Sequence, residues 1–287
     1  MNSIEDRLRD AMAARAEIVG DDDRPLPAPR PQRLQDRMRG RGRRTGWLVP
    51  ALTLATAAAA VVAVLVTGVI TPVGAPTSGR EVLLMAAVSA ERTPQGSGTY
   101  WHVTREMRDG DNLRRESWTA RDGRRWSIGE PEEPPGVVVA DPAPLRLKGA
   151  EVSIEDLERL PTDPEALKAR LAGLQGRDGA MTASEQRGDP LFSLVTLISE
   201  LPTPPEVRSA AFRALATIPG VESMGAVEGG QELRFPHPDF EWEVKLVVDP
   251  ETAQVTRANY LTGNDGSVSF GNRFIWVTAG WTDQPPR

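Results

Sequence analysis

Cysteine is absent from this 287-residue chain, and histidine occurs only at His102 and His237. Without cysteine there is no disulfide, no lipid-modified cysteine anchor and no thiolate metal site. Two separated histidines with no CxxC, HExxH or third ligand make a poor metal site. They read as a strand residue beside aromatics and a Pro-flanked loop residue. Lysine is almost missing: of 34 basic residues only Lys148, Lys168 and Lys245 are lysine. With the abundance of Ala, Gly and Pro, that bias reflects a GC-rich bacterial genome rather than structure. Charge is missing altogether from Trp47 to Ile70, and this gap is the most informative one.

The uncharged stretch reads WLVPALTLATAAAAVVAVLVTGVI, 24 residues. As a helix rising about 1.5 Å per residue it runs ~36 Å, enough to cross a hydrocarbon core of ~30 Å with some tilt. Ala, Val and Leu lie all round it, which a soluble amphipathic helix does not show. Pro50 falls in its first turn, where the missing N–H costs little. A cleaved signal peptide has a short n-region and an apolar run of about 7–15 residues. Here 46 residues precede a run of 24, so a single-span anchor is expected. Before it come Arg30, Arg33, Arg37, Arg39, Arg41, Arg43 and Arg44, opposed only by Asp36, and the first charges after it are Arg80 and Glu81. Basic residues beside a span stay in the cytoplasm, so residues 1–46 should lie inside and residues 71–287 outside the cell membrane. Arg37, Arg39, Arg41, Arg43 and Arg44 are the topology and membrane-surface residues, each drawn to anionic headgroups by about 1 kcal/mol. Residues 71–287 carry 23 basic and 32 acidic side chains, a net of −9, whereas residues 1–70 are net +3. An acidic outer domain argues against nucleic acid as a partner.

Within the tail, SIEDRLRDAMAARAEIV opens on Ser3 with Asp6 three residues later, a capping-box pattern. Ile4, Leu8 and Met12 then recur on one face of a short amphipathic helix and are the candidate docking residues for a cytoplasmic protein partner. GDDDRPLPAPRP, from Gly20 to Pro31, is a charged Pro-rich linker. Residues 71–79 form a connector, and residues 80–287 the extracytoplasmic domain. Ser78 should cap a helix through Val82, Leu83, Met85, Ala86 and Val88 to about Glu91. GTYWHVTREM, LRRESWTA and RRWSIG, separated by Asp-Gly turns, read as a three-stranded meander, with a short strand at Val137-Val138-Val139. Four helices follow, opened by Ser153, Asp163-Pro164, Asp189-Pro190 and Thr203-Pro204-Pro205. The last three pair a capping side chain with Pro at the first helical position. LFSLVTLISEL is apolar on most of its surface and should be the buried helix. Beyond Gly220, five segments alternate apolar and polar as half-buried strands do. Helices and strands in clusters point to α+β, with a largely antiparallel sheet packed on helices.

No constellation for catalysis emerges, so a non-catalytic protein is expected, with no metal or cofactor. Asp109-Gly-Asp111-Asn112 starts like a calcium loop, but Leu113 stands at its fifth position and the Gly and closing Glu are missing. Gly266-Ser-Val-Ser-Phe-Gly271 lacks the spacing of a nucleophile elbow and no His follows it. The carboxylate pairs Glu132-Glu133 and Glu241/Glu243 carry no catalytic pattern, the second alternating on the solvent face of a strand. Six tryptophans of the outer domain, Trp101, Trp118, Trp126, Trp242, Trp276 and Trp281, either line a ligand groove or fill the core, and core is expected for most.

Three segments, LPTDPEALKARL (Leu160–Leu171), LFSLVTLISELPTPPEVRSAAFRALATIPGV (Leu191–Val221) and VVDPETAQV (Val247–Val255), resemble an uncharacterised actinobacterial family. Its members are single-span membrane proteins with an arginine-rich cytoplasmic tail, often encoded beside extracytoplasmic-function sigma factors. That resemblance implies a regulator acting on a cytoplasmic sigma factor or similar partner. The zinc motif of zinc anti-sigma factors is excluded by the lack of cysteine. By fold analogy, a sheet wrapped on helices resembles the curved half-barrel of periplasmic lipoprotein carriers and their sensor relatives. Two functions are therefore expected: a membrane-anchored extracytoplasmic sensor or regulator, or alternatively a carrier or binding module for a lipid or other apolar ligand.

Overall fold

Why the chain after the connector starts as a helix is visible at its first residues. Ser78 is extended, and its hydroxyl accepts from the Glu81 N–H at 3.2 Å, closing the N-terminus of α1 (Gly79–Arg92). The computed structural model describes residues 78–94, 96–108, 113–176, 181–237, 243–262 and 268–287. The expected tail with Ile4, Leu8 and Met12, the arginines 37, 39, 41, 43 and 44, and the span 47–70 lie outside the described residues. Among the described residues no helix is long and apolar enough to cross a membrane.

Val82, Leu83, Ala86, Ala87 and Ala90 bury one side of α1, at the i, i+1, i+4 spacing of a helix laid on a core. Strands β1 (Tyr100–Glu106), β2 (Arg114–Ala120), β3 (Arg125–Ile128) and β4 (Val139–Asp141) form an antiparallel meander, one strand longer than the three-stranded reading. The fourth strand begins at Val139, two residues later than expected. A small hairpin of β5 (Leu145–Leu147) and β6 (Ala150–Val152) leads into the helices. These are α2 (Ile154–Glu158), α3 (Pro164–Ala172), α4 (Ala183–Gln186), α5 (Leu191–Ser199) and α6 (Pro205–Leu215). The second meander is β7 (Glu222–Val227), β8 (Gly230–Phe235), β9 (Val244–Asp249), β10 (Gln254–Thr262) and β11 (Val268–Thr282).

Both meanders belong to one antiparallel sheet of order β4-β3-β2-β1-β11-β10-β9-β8-β7. Its single non-local seam is β1 on β11, in unbroken register from Tyr100↔Thr282 to Glu106↔Trp276. The α+β class is as expected, and the sheet is antiparallel throughout. The core lies between the helices and the sheet. All nine residues of α5 are buried, and Leu233, Phe235, Leu246 and Val248 meet the helices from β8 and β9. Of the described tryptophans, Trp101 and Trp118 are buried, though outside that cluster, while Trp126, Trp276 and Trp281 are half-buried.

Two helix starts differ from the sequence reading, and a following proline explains the one at α6. A residue before proline is held out of the α region. Pro204 precedes Pro205 and sits at φ −57°, ψ 152°, so α6 begins at Pro205 with Pro204 at the cap position. Thr203 is thereby displaced from capping, and its hydroxyl has no hydrogen-bond partner. At α5 the cap position is Pro190, while the Asp189 carboxylate accepts from the Leu191 N–H at 2.9 Å. Helix α4 was not expected; it carries a full capping box between Thr182 and Glu185.

Candidate functional site

At one end of the sheet, Trp101 of β1 and Trp281 of β11 are register partners on the face turned to the helices. Their rings meet edge to face, 5.6 Å between centroids. The Trp101 indole N–H donates to the Glu200 carbonyl at 2.6 Å, just past α5, while the Glu200 carboxylate accepts from Arg105 at 2.6 Å. A buried indole needs such a partner, and this one fixes the ring as a wall. Trp281 is half-buried, and the Arg121 guanidinium stacks on it at 3.9 Å. Arg121 also donates to the carbonyls of Gly96 and Gly98 at 3.2 Å, tying the segment after α1 to the same rim. That segment can lie so close only as glycine: a Cβ on Gly98 would sit 2.3 Å from the Thr282 backbone nitrogen.

The two indoles, the end of α1, the start of α6 and the β9–β10 turn enclose a cleft of about 210 Å³. Its walls are mostly apolar, with Ala90, Pro94, Pro205, Ala253 and Ala279 beside the tryptophans. Polar side chains interrupt them, and two of these, Thr203 and Arg208, are buried. Thr203 is 5% exposed, and its hydroxyl makes no hydrogen bond. Arg208, on the second turn of α6, is 8% exposed and is the most buried arginine among the described residues. Its guanidinium carbon stands 5.9 Å from the Trp101 ring. No carboxylate or carbonyl among the described residues pairs with it, and burial alone pushes its pKa down to about 10. It remains a cation at neutral pH. Ala253, in the turn opposite, is held at φ 56°, a conformation that costs a non-glycine residue energy.

The other internal arginines are paired. Arg105 meets Glu200, Arg125 meets Asp141 at 3.3 Å and Arg115 meets Glu130 at 3.2 Å. The first ties β1 to the segment after α5, the second β3 to β4, and the third β2 to the loop after β3.

His102 is on the opposite face of the sheet, stacked on Trp118 at 4.6 Å with its Nε2 2.8 Å from Glu116. His237 lies 3.1 Å from the Ser184 hydroxyl, and both are buried, at 7% and 1% exposed. Ser184 escaped the sequence reading because it falls in the unanticipated α4. Among the described residues no group of three His, Asp or Glu is placed to hold a metal ion. The tail residues Ile4, Leu8 and Met12, the arginine cluster at 37–44 and Trp242 lie outside the described residues, as do residues 109–112 of the calcium-like loop. Trp118 and Trp126 sit in the far-face aromatic cluster with His102 and Tyr100, and Trp276 is stacked by Arg108 and Arg257, each at 4.1 Å. Only Trp101 and Trp281, of the described tryptophans, line the cleft.

Arg208 carried no signal in the sequence. The apolar positions Val207, Ala211, Ala214 and Leu215 make α6 read as a one-sided helix, which puts Arg208 in solvent. In the fold nearly all of α6 is covered, Arg208 included. Compared with protein-family models, with curated proteins and with solved structures, the chain has no match.

Proposed function

We propose that this chain is a membrane-anchored, non-catalytic extracytoplasmic sensor or regulator, whose outer domain takes a small ligand in the cleft at Trp101 and Trp281. The arginine-flanked apolar stretch supports the anchored, N-inside arrangement, and the tail with Ile4, Leu8 and Met12 supplies the arm toward a cytoplasmic partner, a sigma factor in the family that the sequence resembles. The observation that carries the reading is the cleft itself. It is open, apolar-walled, and built from the two strands that sew the sheet together.

Size favours a sensor over a carrier. An engineered cavity of ~150 Å³ accepts benzene, and sites that enclose drug-sized ligands run to ~300–1,000 Å³. At about 210 Å³ the cleft takes one ring or a short chain, not a whole acyl tail hidden for transport. The Ser184–His237 pair gives little support to catalysis, since both side chains are buried. The test is binding of 4-phenylbutanol, a neutral aromatic probe, to the full-length chain in phosphatidylcholine nanodiscs, followed by calorimetry. Binding in the wild type and its loss in Ala279→Phe, which fills the cleft from β11, is the expected result. Equal binding by wild type and Ala279→Phe would place the probe elsewhere and remove the cleft as the ligand site.

A further inference from the structure

Two polar side chains lining the cleft, Thr203 and Arg208, make no hydrogen bond among the described residues. A guanidinium out of water is costly unless an anion or several acceptors surround it. Arg105, Arg115 and Arg125 each meet a carboxylate, whereas Arg208, more buried than any of them, meets none among the described residues. Thr203, five residues earlier on the same rim, keeps a buried hydroxyl with no partner. Helix α6 starts between the two, so its positive end also abuts the cleft. Three features thus converge, two that call for negative charge and a hydroxyl that can donate to it, inside a domain segment whose net charge is −9. The remaining walls are mostly tryptophan, proline, alanine and glycine, with Thr93, Thr252 and Gln254 among them, and the apolar part calls for carbon.

We propose that the ligand is a small amphiphilic acid: a carboxylate or phosphate monoester whose oxygens accept from the Arg208 guanidinium and the Thr203 hydroxyl, with its apolar group against Trp101 and Trp281. The proposal rests on the reading of this cleft as the ligand site. Planar, two-pronged donation by arginine suits both headgroups, and a lysine at the position offers only a point charge. The same headgroup chemistry arrives either on a free acid in the extracytoplasmic space or on an acidic membrane lipid.

The test compares 4-phenylbutyrate with 4-phenylbutanol, equal in apolar part and different in the acid, on the full-length chain in phosphatidylcholine nanodiscs. The wild type should bind the acid about tenfold more tightly than the alcohol, the scale of a charge-assisted hydrogen bond. Arg208→Gln should erase that preference while leaving alcohol binding in place, and Arg208→Lys should restore part of it. Thr203→Val, which keeps the shape of the side chain, should weaken the acid several-fold and leave the alcohol unchanged. Repeating the acid titration in nanodiscs containing phosphatidate separates the sources: competition assigns a lipid headgroup, unchanged affinity a free acid. Equal affinity of wild type for acid and alcohol would overturn the acid ligand and leave the cleft reading standing. Binding of neither probe would overturn both.

Discussion

Arg208 and Arg105 make opposite predictions although both are arginines inside the same domain. Arg105 neutralises Glu200, whose side chain is 7% exposed, so Arg105→Met strands a buried carboxylate and should cost about 3–5 kcal/mol in urea unfolding. Arg208 neutralises nothing among the described residues. Arg208→Met should therefore leave stability unchanged or raise it by about 1 kcal/mol or more, because a desolvated charge is replaced by an apolar chain of similar length. A loss above about 2 kcal/mol in Arg208→Met would mean that the guanidinium is structural. The contrast also shows why sequence could not find the site. Helical periodicity sorts residues by the face they occupy, and Arg208 sits on a face that only the docking of α6 against its neighbours covers. The Trp101–Trp281 wall was illegible for a related reason: alternation marks both residues as inward-facing but does not say that strands 180 positions apart pair.

Capping logic, by contrast, was legible at two of the four helix starts, and one of its failures lies at the cleft. The Ser153 and Asp163 starts behave as read, because a single side chain reaching the third helical N–H is a local geometry. Thr203 fails because the two prolines after it shift the helix start by one residue, which turns a cap into an unpaired hydroxyl of the cleft. Two capping boxes then differ in their response to pH. Asp156 accepts from the Ser153 N–H and hydroxyl at the surface, and those hydrogen bonds hold its pKa below the usual carboxylate value. Its contribution is present above the unfolded pKa and fades as pH falls through the lowered folded one. Glu185 makes the same bonds to Thr182 but is 3% exposed, and burial outweighs them to raise its pKa. A raised folded pKa stabilises fully below the unfolded value and loses that contribution as pH rises through the folded value. Glu185→Gln should therefore gain on the wild type as pH climbs from about 4 toward neutrality, and urea midpoints across that range measure it. A constant difference between the two proteins would show that folding leaves the Glu185 pKa unshifted. Ser153→Ala should cost about 1 kcal/mol at neutral pH by the same unfolding assay.

At the scale of the whole molecule, the proposed membrane anchoring and its orientation rest on the order of charge along the chain. From Arg30 to Trp47 seven arginines stand against one aspartate, and no ionisable group follows until Arg80. Moving the arginine cluster across a bilayer opposes the bias that retains basic residues in the cytoplasm, whereas the acidic part after residue 71 meets no such barrier. The apolar run of 24 residues is long enough to stop in the membrane and well beyond the h-region of an export signal. The full chain should therefore resist carbonate extraction. Protease added to spheroplasts should digest the part after Gly79 and spare residues 1–46. Replacing Arg37, Arg39, Arg41, Arg43 and Arg44 with glutamine should give a mixture of orientations, read as partial protection of the cleft domain. The proposed regulation, in which a ligand at Arg208 influences a partner at Ile4, Leu8 and Met12, requires that arrangement, since only a spanning chain presents both ends. A mature protein beginning near Pro76 and free in the medium would cut that connection. It would leave the cleft as a secreted binding module, and the regulatory reading would fall while the acid ligand remained testable on its own.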